Sequence, residues 1–188
     1  MPIDPRSLRN ADRIAENRRY HDDHAAMEIL RSIRPVDQIQ FADYDAIFLP
    51  GGHGTMWDLP NSGALARGVS MMFTAGKPVA AVCHGPAGLV SARLPDGVPL
   101  VAGRWATAFT TEEERAVGLQ DKVPFLLDER LGELGARVIK GEPFAPMAVA
   151  HGNLITGQNP QSAREVAGMA IAALRRRENE EPVQPRAG

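Results

Sequence analysis

The chain has 188 residues, a formal charge of −2 and 44% apolar side chains. That is one domain's length with enough apolar surface for a core, and no charge excess that would argue for nucleic acid or an acidic membrane surface as a partner. A single cysteine excludes an intrachain disulfide and a zinc site built from several cysteines. No apolar run approaches the roughly 18 residues of a membrane span, and the N-terminal MPIDPRSLRNADR has no signal-peptide stretch. The expectation is a cytoplasmic protein whose one thiol is the place to look for chemistry.

Residues 1–40 are polar, and within them Ala11 to Ile33 is predicted as a helix, with Ala26, Met27, Leu30 and Ile33 on one face and Pro35 as its stop. His21 and His24 have ligand-like spacing but no further ligand nearby, and read as a wet helix face. From Phe41 the pattern changes. Asp45 to Pro50 reads as a strand apolar on both faces, as in a buried parallel sheet. A helix from Leu65 to Ala75 ends at Gly76, and Pro78 to Cys83 is a second buried strand that leads into a strand-to-helix turn over His84 to Ser91. Pro95 to Gly97 is a turn, and Leu100–Val101 and Ala106–Phe109 are short strand candidates. Thr110 to Glu114 is a capped helix start or a charged loop, Val123 to Leu134 a helix stopped by Gly135, and Arg137 to Lys140 a strand. Ala148–Ala150 and Leu154–Thr156 flank a tight turn. Ser162 caps a last helix carrying Val166, Met169, Ala170 and Leu174 on one face, and 176–188 is a charged, proline-bearing tail. Strands alternating with helices give an α/β domain over 41–175 with a mainly parallel sheet.

Cys83 is the sharpest chemical signal. An apolar strand delivers it to a tight turn framed by Ala81 and Gly85, the geometry of a nucleophile elbow. Free amides and a helix N-terminus there favour a thiolate, and with it ready oxidation. A cysteine at a strand end is equally compatible with inert burial. His84 follows immediately, although neighbours on a turn need not touch. Glu112, Glu113 and Glu114 include a candidate to orient a base, with at least two of the three expected on a solvated helix start. Pro50-Gly-Gly-His-Gly54 follows the other buried strand and leaves backbone N–H groups free for an oxyanion. His53 reads locally as a polar loop residue or a pocket residue, and Trp57 as packing or a pocket wall.

Together these segments resemble the ThiJ/PfpI family of the class I glutamine-amidotransferase-like superfamily, and within it the glyoxalase III and heat-shock-chaperone branch. The likeness rests on DAIFLPGGHG over 45–54, GKPVAAVCHGP over 76–86, FTTEEE over 109–114, VPFLL over 123–127 and ITGQNP over 155–160, and it spans about 36–175. It implies a flavodoxin-like three-layer α/β/α sandwich. It also implies Cys83 as nucleophile, His84 as base, Glu114 as the acid with Glu113 as the alternative, the N–H groups of Gly52 and His84 on the oxyanion, and His53 against the substrate. The implied activity is glutathione-independent conversion of methylglyoxal to lactate through a cysteine hemithioacetal, without metal or organic cofactor. Small aldehydes are the implied ligands, and a homodimer is compatible with the resemblance. A non-catalytic chaperone-like or redox-stress protein, and a cysteine amidase or peptidase, are the alternatives that the same elbow allows. Relatives begin with two strands and an activating glutamate for which no counterpart precedes Phe41. The expectation is therefore an N-terminally incomplete sheet, weakened activity, and an edge position for the Ala46–Leu49 strand.

Overall fold

The computed structural model describes residues 15–180. They fall into two compact units, divided between Ile39 and Gln40. In the first, helices α1 (Ala15–Asp22) and α2 (His24–Arg31) replace the continuous helix expected from Ala11 to Ile33, whose residues 11–14 lie outside the described part. The break has a local cause: the Asp23 side chain accepts the Ala26 N–H, which makes Asp23 the N-cap of a new helix. The helix ends at the Ser32 cap, so Ile33 lies beyond it and is exposed.

The second unit carries the sheet. Strands β1 (Ile47–Leu49) and β2 (Val79–Val82) enclose helices α3 (Thr55–Asp58) and α4 (Gly63–Thr74). Then come β3 (Trp105–Ala106), α5 (Thr111–Val117), α6 (Leu127–Glu133), β4 (Arg137–Val138), the hairpin β5 (Ala148–His151) and β6 (Leu154–Gly157), and α7 (Ala163–Glu180). The main sheet has the order β1-β2-β6-β5. β1 and β6 run parallel to β2, and β5 pairs antiparallel with β6. β3 and β4 form a separate parallel pair.

Side chains alternate across β2, and the alternation builds the layers. Val79 and Ala81 face a core with Leu65, Val69 and Met72 of α4, whereas Ala80 and Val82 face Val166, Ala170 and Ala173 of α7. β6 does the same, with Leu154 on the first side and Ile155 on the second. A helix layer on each face of a mainly parallel sheet is the three-layer arrangement expected. Each fully buried Val or Leu contributes roughly 1.5–3 kcal/mol, and β2 and β6, each buried at all four positions, are the strands the core is built on.

Several expected elements differ. β1 is an edge among the described strands, as expected, but it is not buried on both faces: Phe48 is 41% exposed. Leu100 and Val101 form a turn, with both side chains fully buried, so their apolarity reports core and not strand. The strands expected over Ala106–Phe109 and Arg137–Lys140 shrink to two residues each. α6 starts at Leu127 and not at Val123, since Pro124 interrupts the preceding segment. Ser162 ends a 3-10 turn, Pro160–Ser162, and its hydroxyl binds Asn159 and the Met147 N–H. α7 continues through 176–180; residues 181–188 lie outside the described part.

Candidate active site

The elbow is made by backbone packing. Cys83 has φ +61, a left-handed conformation that costs a non-glycine residue of order 1 kcal/mol or more. Hydrogen bonds on either side hold it there: the Cys83 N–H donates to the Gly157 carbonyl at 2.9 Å, and the Phe109 N–H donates to the Cys83 carbonyl at 3.0 Å. The turn is pressed against the end of β1 so closely that only glycine fits twice. A Cβ on Gly85 would collide with the Leu49 carbonyl oxygen, and one on Gly51 would lie 2.7 Å from the Cys83 Cβ. The element after the elbow is a five-residue 3-10 turn, Gly85–Leu89, not the α-helix expected.

Four side chains converge above this turn. Cys83 Sγ lies 3.2 Å from His84 Nδ1, and His84 Nε2 lies 2.6 Å from Glu114 Oε1. The other carboxylate oxygen, Oε2, lies 3.0 Å from His53 Nε2. A carboxylate only accepts, so both imidazoles present an Nε2–H to Glu114. This leaves the lone pair of His84 Nδ1 facing the thiol. Cys83, His84 and Glu114 are buried at 7%, 1% and 2% exposure. Phe109 closes the other side, its ring 4.5 Å from that of His84.

The electrostatics correct one expectation. Burial pushes the Cys83 thiol up to about 11, against the pull of the His84 and Gly52 N–H groups, while the charges of Glu113 and Glu114 add to the rise. The resting group is a neutral thiol, not the easily oxidised thiolate expected, because desolvation outweighs the amides. Burial also lowers His84, partly offset by its bond to Glu114, so the imidazole is neutral. The Gly52 and His84 N–H groups named from the sequence do converge on Cys83 Sγ.

The expectation that at least two of the three acids sit on a solvated helix start is also overturned. Glu113 is fully buried, Glu114 nearly so, and only Glu112 is exposed. Thr110 caps α5 in a capping box with Glu113. Glu113 has other hydrogen-bond partners: Oε2 takes the Thr110 N–H and hydroxyl at 3.0 Å each, and Oε1 takes the Phe144 N–H at 2.8 Å and the Asn159 amide at 2.9 Å. Burial opposes its charge, but these donors prevail and its carboxyl is held below the usual range. The carboxylate bonded to His84 is thus Glu114, and Glu113 bonds to Thr110, Phe144 and Asn159 instead. Phe144, held with φ +58, and Asn159 were not singled out from the sequence; the Thr110-x-x-Glu113 spacing was the one available signal for this clamp. Trp57 is 47% exposed, and His21 and His24 are exposed on the N-terminal unit.

Among the described residues, His53, His84 and Glu114 are the only group of three or more His, Cys, Asp or Glu that could hold a metal ion, with ligand atoms mutually within 4.8 Å. Both Glu114 oxygens and both Nε2 atoms are already matched as hydrogen-bond partners, which accounts for the arrangement. No described helix is long and apolar enough to cross a membrane.

Comparison with known proteins gives the family. The DJ-1/PfpI family model matches residues 26–173. Glyoxalase 3 of Candida albicans is 36% identical over 151 residues, 77% of this chain and 64% of that protein. The crystal structure of glyoxalase III from Candida albicans superposes with a TM-score of 0.83 at 31% identity, covering 92% of this chain and 75% of the other. The Rapid Encystment Protein 24 kDa of Francisella tularensis does so at 0.87 and 32% identity, covering 93% and 76%. Against three curated relatives named as glutathione-independent glyoxalases or glyoxalase 3, the match spans 59–68% of their length. A profile match over most of the chain, relatives a third identical and the same layered fold together make this chain a member of the DJ-1/PfpI family.

Proposed function

We propose that the protein is a glutathione-independent glyoxalase that converts small 2-oxoaldehydes, methylglyoxal foremost, to the 2-hydroxy acid with Cys83 as nucleophile. The observation that carries this reading is the aligned relay: Sγ at 3.2 Å from Nδ1, and Nε2 at 2.6 Å from Glu114, on a strained elbow. The names of the glyoxalase relatives support the substrate class.

Because the thiol rests neutral, attack and proton removal are coupled. His84 Nδ1 takes the thiol proton as Sγ bonds to the aldehyde carbon, and Glu114 stabilises the imidazolium that forms. The Gly52 and His84 N–H groups, which face Sγ in the free site, receive the developing alkoxide. Protonation by His84 gives the hemithioacetal. The same imidazole then removes the proton from the former aldehyde carbon, giving an enediolate, and returns it to the neighbouring carbon. The product of that transfer is a 2-hydroxyacyl thioester on Cys83. Water adds to the thioester, the thiol leaves with a proton, and lactate is released. The sum is one methylglyoxal plus one water giving one lactate, with no net redox change and no step that calls for a cofactor.

The test is lactate formation from methylglyoxal, followed by proton NMR for the wild type and Cys83→Ala. Turnover by the wild type and background conversion by the variant are expected. Equal conversion by both, or none by the wild type, overturns the reading.

A further inference from the structure

We propose that His53 is a positioning residue: by binding the second oxygen of Glu114 it fixes both the aim of that carboxylate at His84 and the place of the Gly52 N–H beside Cys83. This rests on the reading just given and assigns His53 a role other than the substrate contact expected from the sequence.

Three observations carry it. First, Glu114 is buried, and a buried carboxylate with one free oxygen can turn about its terminal bond. With His84 on Oε1 at 2.6 Å and His53 on Oε2 at 3.0 Å, both oxygens are fixed. The His84 Nε2–H stays in line, and so does the unprotonated Nδ1 that must receive the thiol proton. Second, His53 belongs to the loop between β1 and α3, next to Gly52, whose N–H faces Sγ. The loop is also held by the Thr55 hydroxyl, which lies 2.8 Å from the Gly52 carbonyl and 3.2 Å from the His84 carbonyl, and by the Thr55 and Met56 N–H groups on the Gly52 and His53 carbonyls. The His53–Glu114 bond adds a tie from that loop to α5. One hydrogen bond therefore joins the β1 loop and α5 beside the elbow. Third, the His53 side chain is 34% exposed while that of Glu114 is 3%. The Nε2 end is directed inward onto a buried acid, and the ring lies with its centroid 4.1 Å from that of His84. A polar loop side chain with free access to water has no need of such a partner.

Neutral donation is all this role requires. His53→Gln can supply an amide N–H to Oε2, whereas His53→Leu keeps bulk and leaves Oε2 unpaired. On methylglyoxal, His53→Leu is expected to lower kcat on the order of tenfold to a hundredfold with KM within about twofold, and His53→Gln to restore most of the loss. In a Glu114→Gln background, His53→Leu should add little, because the two residues act as one unit. The same variants are read without turnover by the rate of Cys83 alkylation with iodoacetamide, where His53→Leu should slow the reaction and His53→Gln should not. If the wild type fails to turn over methylglyoxal but alkylation keeps this order, the substrate assignment falls and the positioning role stands. A raised KM with intact kcat, equal damage from Gln and Leu, faster alkylation in His53→Leu, or full additivity with Glu114→Gln overturns the positioning role.

Discussion

Two buried carboxylates stand side by side at the start of α5, and they face different parts of the molecule. Glu114 meets two imidazoles beside the thiol. Glu113 meets two backbone N–H groups, a hydroxyl and an amide, and anchors the segment around Phe144. Both are removed from water, so burial does not separate a reacting acid from a structural one. Their partners do. Imidazoles exchange protons near neutral pH, and a carboxylate between them can stabilise a charge that appears and vanishes during a reaction. Amides and hydroxyls hold their protons, and a carboxylate among them is a fixed anchor.

The sharpest way to break that contrast is to neutralise each acid in turn. Glu114→Gln is expected to cut kcat on methylglyoxal by about 10²-fold or more, since His84 loses the charge that stabilises its protonated form, with little change in thermal stability. A comparable kcat in this variant would remove Glu114 from the relay.

Glu113→Gln should show the reverse pattern. It forfeits charge-assisted bonds in a site without water and is expected to cost about 2–3 kcal/mol in urea unfolding, with kcat per folded molecule nearly unchanged. The pH dependence follows from the depressed carboxyl of Glu113. Its contribution is complete above the ordinary carboxylate range and is lost as pH falls through the lower folded-state value. Acid-unfolding curves of wild type and variant should therefore converge at low pH. If the variant is as stable as the wild type but inactive, the two acids have been assigned the wrong way round.

A smaller effect separates the two sides by pH alone. His84 is lowered from its usual range by burial, so it remains a free base as pH falls below the ordinary imidazole value. The acid limb of kcat/KM should lie below about 6.5. An acid limb well above that value would mean an imidazole stabilised in its charged form. The smallest expected change is remote from both acids: Phe48→Lys, on the outer strand β1, should alter unfolding by no more than about 0.5 kcal/mol while reducing any self-association through the exposed strand. A large loss of stability would show that Phe48 is packed in solution.

Much of the site was legible because it lies where backbone constraints are visible as residue types. An apolar strand, the small residues Ala81 and Gly85 two positions to either side of Cys83, and a glycine pair after the other strand specify an elbow and a facing loop. The close contacts of Gly51 and Gly85 are the physical cause of that pattern. Capping chemistry was also legible, as Thr110 and Glu113 show. The failures come from long-range packing. The run of glutamates looked like a wet helix start because nothing local says that Phe144, Asn159 and two histidines will close over it. Leu100 and Val101 looked like a strand because apolar runs report burial whatever the backbone does. The thiolate expected at Cys83 failed for a related reason: amides near a sulfur can be inferred from a turn, but the loss of water around it depends on the whole fold.

In the mechanism proposed above, the thiol rests neutral and is deprotonated by His84 only as it attacks. Cys83 is the sole cysteine, so the ultraviolet absorbance of its thiolate, with Cys83→Ser as the blank, measures this directly. The expected result is a thiol that its burial pushes up to about 11, together with methylglyoxal turnover already complete near neutral pH. A thiolate that forms below the ordinary cysteine value of about 8.5 would contradict it and would mean that a preformed thiolate–imidazolium pair does the chemistry.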